Sequence, residues 1–426
     1  MIKNAFILNF FKFYNMLWSI SLPFLKKNKR LGLGFQRRIT SFHHTKADIW
    51  IQAASAGEAY LAVTLLKTLD PKTRAKVLVT STTSQGINIL NTRLTKKTIS
   101  KLIDLKIEWF PFDSPQTINK VVKIIDPHIM VLLETEIWPA LLYYLKENHT
   151  KIIIINARLS QKSFNHYMKT KFLWKHLAPD IILATSRQDA ERYRQIFEQA
   201  MVKTMPNIKF ESIETNVSDA GTQKQIKKLL PQTLPLTIIA SVRRQEEKDI
   251  VNILKNILKT FPNQIVAIFP RHMHRLSSWK KRLTSQNLNF HLRSGINSPL
   301  TGPGIILWDT FGELRTIYGF ASVVFVGGSL KPLGGQNFIE PAVQGAVTVT
   351  GPYYDDFTWA MDDIFKKGIV IKKNNWKAVA QTIIGTLKTP VNRSDRKQLA
   401  LEYLKSNQGG TRQACDEILK VFDGFI

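Results

Sequence analysis

Short, β-branched runs alternate with helical sequence along most of this chain, and they do so in two successive series. Such alternation is typical of βαβ units, in which crossover helices join parallel strands. The predicted strands are 48–54, 76–81, 128–133, 151–156 and 180–185 in the first series, and 236–241, 264–269, 304–308, 322–326, 346–350 and 368–371 in the second. The polar stretch from about 216 to 234 separates the series and predicts an interdomain linker with a short helix. We therefore predict an α/β protein with two Rossmann-like parallel-sheet domains.

Composition narrows the classes of partner. The chain has 60 Lys and Arg residues against 32 Asp and Glu residues, a formal net charge of +28. This excess favours a polyanionic partner, such as nucleic acid, anionic lipid or a phosphorylated substrate. Because the basic residues are spread along the chain and no nucleic-acid-binding motif is present, we expect no nucleic acid partner. The single cysteine, Cys415, excludes an internal disulfide and a cysteine-based zinc site, which fits a reducing cytoplasm. No metal site is predicted.

The first 30 residues predict a membrane-associated helix. Residues 1–25 are rich in Phe, Leu, Ile and Trp, and a basic cluster follows at Lys26, Lys27, Lys29 and Arg30. A polar stripe recurs at helical spacing along this run, formed by Asn9, Lys12, Asn15 and Ser19. Since polar residues interrupt the run, we predict a helix that lies in the membrane interface against anionic lipid, rather than a spanning helix or a cleaved signal peptide. The alternative is a helix packed on the body of the protein.

Candidate catalytic residues follow the ends of predicted strands in the first domain, where open parallel sheets bind ligands. Glu58 could act as a general base, or it could simply stabilise a helix N-terminus. Glu134 and Glu136 could orient an acceptor hydroxyl or stabilise positive charge, or they could cap a helix. Arg158 could meet a phosphate or carboxylate, or pair with Glu134 or Glu136.

In the second domain, the segment 327–352 predicts a strand end, a glycine-rich loop and a helix N-terminus in succession. Gly334 and Gly335 would let the backbone approach a ligand, while the helix amides would attract phosphate. Asn337 could cap the helix, and the Glu340 carboxylate could accept hydrogen bonds from ribose hydroxyls. Taken alone, the segment could also be a surface loop.

Two further loops of the second domain follow the same rule. Arg271 comes after a predicted strand and suits bidentate contact with phosphate. The turn 311–314 opens a helix and offers backbone amides. Three loops from successive strand ends predict a nucleotide-binding site.

The ordered motifs of the chain resemble those of the 3-deoxy-D-manno-octulosonic acid (Kdo) transferases of lipid A biosynthesis. The matching segments are SAGE at Ser55–Glu58, ETEIWP at Glu134–Pro139, NARLS at Asn156–Ser160, NIKF at Asn207–Phe210, PRH at Pro270–His272, DTFGEL at Asp309–Leu314 and VGGSLKPLGGQNFIEPA at Val326–Ala342. The resemblance covers nearly the whole chain.

This resemblance implies a GT-B fold, with two domains facing a central cleft. It implies a membrane helix over residues 1–30, an acceptor domain over 31–220, a nucleotide-sugar domain over 221–395 and helices over 396–426 that pack back towards the first domain. It also implies CMP-Kdo as donor, lipid IVA as acceptor, and a place on the cytoplasmic face of the inner membrane. No metal or other cofactor is expected.

The resemblance assigns roles to particular residues. Glu58 would be the general base, and Glu134 and Lys209 would stabilise the transition state. The CMP contacts carry over to Pro270, Arg271, Phe311, Gly312, Glu313, Asn337, Phe338, Ile339 and Glu340. The chain departs from the family pattern at Gln336, where the family has His, and in the loop 241–247, where Arg243 and Arg244 are added and could meet donor phosphate or carboxylate.

Three other functions are compatible with parts of this pattern. One is a membrane-associated GT-B transferase that uses a UDP-sugar. The others are a basic nucleic-acid-binding protein and a non-catalytic scaffold at the membrane surface.

Overall fold

The computed structural model describes residues 5–27, 32–40, 42, 45–213, 220–231, 233–360 and 363–425. The chain divides into two compact units, one comprising residues 1–212 with 407–426 and the other residues 213–406. Of the segments interpreted above, residues 1–4, Lys29, Arg30 and the linker residues 216–219 and 232 lie outside the described residues.

The first unit is built on one parallel sheet. Its strands are β1 Ile49–Ala53, β2 Ala75–Ser81, β3 Ile103–Trp109, β4 Ile129–Leu133, β5 Lys151–Ala157, β6 Ile181–Ala184 and β7 Met201–Thr204. Its helices are α1 Ala5–Lys27, α2 Arg37–Thr40, α3 Ala56–Thr68, α4 Ser84–Arg93, α5 Pro115–Ile125, α6 Pro139–Glu147, α7 Gln161–Lys169, α8 Lys171–His176 and α9 Arg187–Ile196, and a 3-10 turn follows at Ile208–Phe210. The strand order among these elements is β3-β2-β1-β4-β5-β6-β7.

Both faces of this first sheet are buried. Alternate residues of β4 illustrate this, because Met130 and Leu132 join one apolar core while Ile129, Val131 and Leu133 join another. A strand covered by helices on both faces has no polar side, which explains why the central strands read as continuous apolar runs.

The second unit has a second parallel sheet. Its strands are β8 Leu236–Val242, β9 Ile265–Pro270, β10 Phe290–Leu292, β11 Gly304–Leu307, β12 Val323–Val326, β13 Val347–Thr350 and β14 Val370–Lys372. Its helices are α10 Ala220–Leu229, α11 Glu247–Thr260, α12 Leu276–Thr284, α13 Leu314–Tyr318, α14 Ile339–Val343, α15 Asp363–Lys366, α16 Trp376–Lys388 and α17 Arg393–Ser406, with 3-10 turns at Arg244–Glu246, Met273–Arg275, Arg293–Gly295 and Asp355–Ala360. The strand order among these elements is β10-β11-β9-β8-β12-β13-β14.

The chain returns to the first unit at its C-terminus. The last helix, α18 Gly410–Asp423, packs on α3, and Cys415 and Ile418 are buried in the first unit's core. Lys203 and Glu417 reinforce this contact with an ion pair of 2.6 Å.

Every strand predicted from the sequence is present, and so are β3, β7 and β10, which were not predicted. These additional strands lie at sheet edges. An edge strand has only one neighbour and more exposed side chains, as the alternating burial of β3 illustrates. Such strands lack the continuous apolar run by which the central strands were recognised.

Helix α1 packs one face on the first unit. Ile7 and Phe11 are buried there, and the Tyr14 hydroxyl donates a hydrogen bond to Asp113 (3.0 Å). The Asp113 carboxylate also accepts hydrogen bonds from the N–H groups of Ala140 (3.2 Å) and Leu141 (2.8 Å), so it caps the N-terminus of α6. One residue therefore links α1 to the helix that follows Glu134 and Glu136.

The remaining surface of α1 keeps large apolar side chains in solvent. The exposed members are Leu8, Phe13, Met16, Leu17, Ile20 and Phe24, with Phe24 72% exposed. Among the described helices, α1 included, we find none with the length and apolar character needed to cross a bilayer. The helix thus combines a packed face, as in the alternative interpretation, with an exposed apolar face, as the interfacial interpretation requires.

Candidate active site

In the first sheet, the chain order reverses between β1 and β4. Loops that leave neighbouring strands in opposite directions open a crevice at the carboxyl edge of a sheet, which is where such sheets bind ligands. The loop after β1 carries Glu58, and the loop after β4 carries Glu134 and Glu136. The topology therefore brings together acids that are far apart in the sequence.

Glu58 lies in the first turn of α3 and is almost fully buried. One carboxylate oxygen accepts a hydrogen bond from the N–H of Ala54 (2.6 Å), and the other accepts one from the hydroxyl of Ser55 (2.9 Å). The Ser55 hydroxyl oxygen in turn accepts a hydrogen bond from the N–H of Glu58 (3.2 Å). Glu58 is thus the helix-stabilising acid that the alternative interpretation expected.

The electrostatic environment of Glu58 is unusual for a helix-capping acid. Burial, and then the nearby charge of Glu136, raise the pKa of Glu58 from 4.5 to about 7, against the hydrogen bonds from Ala54 and Ser55. Burial also raises the pKa of Glu136, whose carboxylate accepts a hydrogen bond from the indole N–H of Trp138 (2.7 Å). A carboxyl group with a pKa near neutrality can take up or release a proton under working conditions, as a general base must.

Lys209 supplies a positive charge to this cluster. Its Nζ lies 2.6 Å from Oε1 of Glu134, and both side chains are about four-fifths buried. Two asparagines hold the turn that carries it. Asn156 accepts a hydrogen bond from the N–H of Ile208 (2.9 Å), and Asn207 accepts one from the N–H of Lys209 (2.9 Å). The predicted residues Glu58, Glu134 and Lys209 therefore belong to one site of the first unit.

Backbone strain is concentrated at the same sheet edge. Glu134 directly follows β4, and Asn156 lies near the end of the adjacent strand β5. Both have left-handed backbone conformations, with φ of 59° and 57°. For residues other than glycine this conformation costs roughly 1–2 kcal/mol, less for Asn than for Glu. Strain of this kind collects at functional sites, where surrounding contacts hold it in place.

In the second sheet, the chain order reverses between β8 and β12, and Glu246 lies at that point. Its carboxylate is fully buried and accepts hydrogen bonds from the N–H groups of Gly328 (2.5 Å), Ser329 (2.8 Å) and Leu330 (2.8 Å). It also accepts one from the N–H of Arg243 (3.2 Å). Glu246 therefore joins the loop after β8 to the glycine-rich loop after β12.

Basic side chains surround this point. Pro270 ends β9 opposite Val242, and the N–H of Arg271 donates to the carbonyl of Val242 (2.9 Å). Arg271 is exposed, and Arg243 is partly buried. Burial, followed by the charges of Arg271, His274 and Arg243, lowers the pKa of His272, which reports a positive local potential. This edge of the second sheet is suited to an anion.

The turn after β11 presents an aromatic side chain to solvent. Phe311 is 83% exposed, and the following Gly312 has φ of 85°. The carboxylate of Glu313 points into its own unit, where it accepts hydrogen bonds from Arg293 (2.7 Å), Trp308 (2.8 Å) and Thr310 (2.5 Å). The side chain of Glu313 therefore fixes the turn, and the contact of Phe311 and the turn backbone with a ligand stays a prediction.

The glycine-rich loop owes its two adjacent glycines to contacts inside the second unit. Gly334 and Gly335 have φ of 84° and 81°, and a Cβ on Gly334 would lie 2.3 Å from the carboxylate of Asp356. This packing requires glycine at Gly334 in any case, and the expectation that the glycines make room for a ligand stays a prediction. At Gln336, where the chain departs from the family pattern, the side-chain amide donates a hydrogen bond to the carbonyl of Gly335 (2.5 Å).

The segment after these glycines leads into helix α14, whose N-cap residue is Phe338 rather than the predicted Asn337. Asn337 accepts a hydrogen bond from the N–H of Ile339 (3.1 Å) and donates one to Glu340 (2.8 Å). Phe338 and Ile339 are buried, and Phe338 packs against the rings of Tyr354, Phe357 and Phe365. Of the predicted residues in this segment, Asn337 and Glu340 keep partly exposed side chains.

The residues that position the candidate site residues were not predicted from the sequence. Asn156, Asn207 and Glu246 were not singled out, although each accepts a hydrogen bond that fixes a site loop. A signal was available for the asparagines, since Asn tolerates left-handed backbone and caps turns. For Glu246 the signal was an acid placed just after a strand, opposite a glycine-rich loop.

Comparison with solved structures defines the class of fold. A UDP-N-acetylglucosamine 2-epimerase aligns with 88% of this chain and 96% of its own, with a TM-score of 0.57 and 11% identity. The UDP-GlcNAc 2-epimerase of Neisseria meningitidis, bound to UDP-GlcNAc, aligns with 87% and 99%, with a TM-score of 0.56 and 12% identity. At these identities the likeness concerns the fold alone, and it confirms the predicted α/β class with two parallel-sheet domains.

The family follows from the sequence comparisons. Residues 27–212 match the family described as 3-deoxy-D-manno-octulosonic-acid transferase (Kdo transferase). The 3-deoxy-D-manno-octulosonic acid transferase of Haemophilus influenzae is 27% identical over 86% of this chain and 86% of its own length. A bifunctional glycosyltransferase/methyltransferase of Fusobacterium nucleatum is 28% identical over 87% of this chain, which spans 58% of that longer relative. The predicted resemblance to Kdo transferases is confirmed.

A solved domain also aligns with part of the chain. This is the C-terminal CMP-Kdo binding domain of WaaA from Acinetobacter baumannii, which is 28% identical, covers 44% of this chain and 99% of its own, and has a TM-score of 0.41.

Proposed function

We propose that this protein is a glycosyltransferase that moves Kdo from CMP-Kdo to lipid IVA. The observation that carries the proposal is the acid cluster of the first unit, in which a buried Glu58 with a pKa near 7 adjoins the Glu134–Lys209 ion pair. The family match of residues 27–212 supports the sugar that is transferred. CMP as the activating group and lipid IVA as the acceptor come from the motif resemblance.

Glu58 is the proposed general base. The acceptor hydroxyl must lose its proton as it attacks the anomeric carbon of the donor, and a positioned carboxylate can take that proton. Hydrogen bonds from Ala54 and Ser55 fix the orientation of the carboxylate, while burial and Glu136 keep its proton affinity high enough for the task. These contacts favour Glu58 as the base over its neighbours, because Glu134 is already paired with Lys209.

Lys209 and Glu134 are proposed to act on charge in the transition state. Glycosyl transfer from an activated ulosonic acid develops positive charge on the sugar ring while negative charge develops on the departing phosphate. Preformed charges that do not have to reorganise stabilise such a state. The strained backbone of Glu134 and the asparagine-held turn of Lys209 supply that rigidity. The second unit is proposed to bind the nucleotide through Arg271 and the segments 311–313 and 337–340.

The acceptor lipid implies contact with a membrane surface. Helix α1 supplies an exposed apolar face, and the basic side chains of Lys12, Lys26 and Lys27 are exposed on the same helix. An apolar face with nearby basic residues binds the interface of an anionic bilayer. We therefore propose association with the inner membrane through the exposed face of α1.

The direct test is a product assay. Purified protein is incubated with CMP-Kdo and lipid IVA, and the lipid is weighed by mass spectrometry, where each transferred Kdo adds one sugar mass. Parallel incubations with UDP-sugars test the alternative donor class. Kdo transfer to lipid IVA is the expected result, whereas transfer from a UDP-sugar alone, or no transfer with either donor, would contradict the proposal.

A further inference from the structure

The glycine-rich loop after β12 already holds an anion that belongs to the protein. The N–H groups of Gly328, Ser329 and Leu330 all converge on the carboxylate of Glu246. Successive backbone N–H groups arranged in this way form an anion-binding site. Because Glu246 fills it, these amides are not available to a phosphate of the substrate.

Two guanidinium groups adjoin the filled loop on neighbouring strands. Val242 and Pro270 are paired in the register of β8 and β9, and Arg243 and Arg271 are the residues that follow them. A hydrogen bond of 2.9 Å from the N–H of Arg271 to the carbonyl of Val242 keeps the two strand ends together. Arg243 and Arg271 therefore leave the sheet side by side, next to the point where its chain order reverses.

Neither guanidinium is neutralised by a carboxylate. In the described parts of the chain, the Arg243 and Arg271 side chains have no salt-bridge partner within 4 Å, whereas the nearby Arg275 is paired with Glu247 and Lys331 with Asp249. The Nε–H of Arg243 is buried and has no acceptor among those residues. A buried donor without a partner is costly, so this position calls for an acceptor from a ligand.

We propose that Arg243 joins Arg271, which the motif resemblance already assigns to CMP, in binding the phosphate of the donor nucleotide, and that Glu246 is a positioning residue that holds Arg243 and the glycine-rich loop for this contact. The inference rests on the proposed function and deepens it by adding Arg243 and Glu246 to the donor site. Phosphate and sugar carboxylate are both anions that guanidinium groups bind. The phosphate is favoured because open α/β sheets bind nucleotide phosphates where the chain order reverses.

The test compares Arg243→Gln with Lys248→Gln, a charge-removing change at an exposed residue of the following helix α11, by calorimetric titration with CMP and with cytidine. A charge-assisted hydrogen bond is strong enough that Arg243→Gln should weaken CMP binding about tenfold or more. Cytidine binding, which involves no phosphate, should be unchanged, and Lys248→Gln should bind both ligands as the wild type does.

Each other outcome has a definite meaning. Unchanged CMP affinity in Arg243→Gln, with a wild type that binds CMP, overturns the inference and leaves the proposed function intact. Equal loss for CMP and cytidine also overturns it, because the effect is then not on the phosphate. Loss for CMP-Kdo with unchanged CMP affinity assigns Arg243 to the sugar carboxylate instead. Failure of the wild type to bind CMP contradicts the proposed function itself.

The role of Glu246 is tested against its neighbour Glu247. Both are buried, but Glu247 binds Arg275 through two hydrogen bonds of 2.9 and 2.8 Å and makes no contact with the glycine-rich loop. Glu246→Gln places an amide group against the loop N–H groups and should weaken CMP binding without affecting cytidine. Glu247→Gln should lower the melting temperature and keep the CMP affinity of the folded protein. Equal CMP affinity in both variants would show that Glu246 is merely structural, and the Arg243 titrations remain decisive if Glu246→Gln does not fold.

Discussion

Lys209 and Glu134 form a largely buried ion pair, with Nζ 2.6 Å from Oε1, at the carboxyl edge of the first sheet. Glu134 also acts electrostatically on Glu58 and Glu136, so Lys209 brings a positive charge to a group of three acids. We expect Lys209→Met to lower the rate of Kdo transfer by about 10²–10³-fold, the usual effect of removing one preorganised electrostatic contact. The measurement is kcat with CMP-Kdo and lipid IVA.

The matched control for this substitution is Lys203→Met. Lys203 forms an ion pair of the same length, 2.6 Å, with Glu417 in the same unit but away from the acids. The Lys203→Met variant should lose some stability and keep the wild-type rate of Kdo transfer. Equal activity in the two variants would remove Lys209 from the mechanism.

Replacing Glu58 tests the general base. Glu58→Gln keeps one oxygen that can accept the hydrogen bond of Ala54 and gains an amide NH2 that can donate to the Ser55 hydroxyl oxygen, but it cannot take a proton, so the fold and CMP binding should persist. Turnover should fall by about 10²–10⁴-fold, the range attributed to general base catalysis. Glu108→Gln serves as the control, because Glu108 on β3 is also a buried acid and is paired with Arg37. Wild-type turnover in Glu58→Gln would exclude the proposed role.

The pH dependence follows from the raised pKa of Glu58. Only the ionised carboxylate can accept a proton, so kcat should fall about tenfold for each pH unit below 7. The negative charge of Glu136 raises this pKa, and its removal in Glu136→Gln must therefore lower it. The acid limb of the pH–rate profile should shift to lower pH, while the Gln oxygen can still accept the hydrogen bond from Trp138. An unshifted acid limb would show that another group limits the rate.

The exposed face of α1 predicts membrane binding. A triple replacement of Phe13, Ile20 and Phe24 by Ser removes apolar surface that contributes nothing to the fold, so the melting temperature should change little. Binding to vesicles that contain anionic lipid should weaken about tenfold or more, given the free energy of burying each apolar side chain. Replacement of Val391 and Leu399, which are also exposed, is the control. Unchanged sedimentation with vesicles would assign membrane contact to another surface.

Metal independence is expected because positive side chains are available for the departing phosphate. Arg243, Arg271 and the residues around His272 create that positive potential. Turnover should therefore be the same in EDTA and in Mg²⁺. Loss of activity in EDTA that Mg²⁺ restores would contradict this expectation.

The central strands and the site loops could be predicted because each depends on local sequence. Strands buried on both faces require continuous apolar residues, and the residues that follow them reach the carboxyl edge of the sheet whatever the details of packing. The positions of Glu58, Glu134 and Arg271 at strand ends follow from this rule. The edge strands β3, β7 and β10 were not predicted, because their partly exposed side chains interrupt the apolar pattern.

The sequence by itself determined that this chain folds as two parallel-sheet α/β domains and that its acids and basic residues collect at strand ends. Only the tertiary structure decided which of them meet. The ion pair of Lys209 with Glu134 depends on two asparagines that hold a distant turn, and the occupation of the glycine-rich loop by Glu246 depends on β8 lying beside β12. Contacts between residues remote in sequence arise from strand order and backbone geometry, which a linear pattern of residue types does not encode.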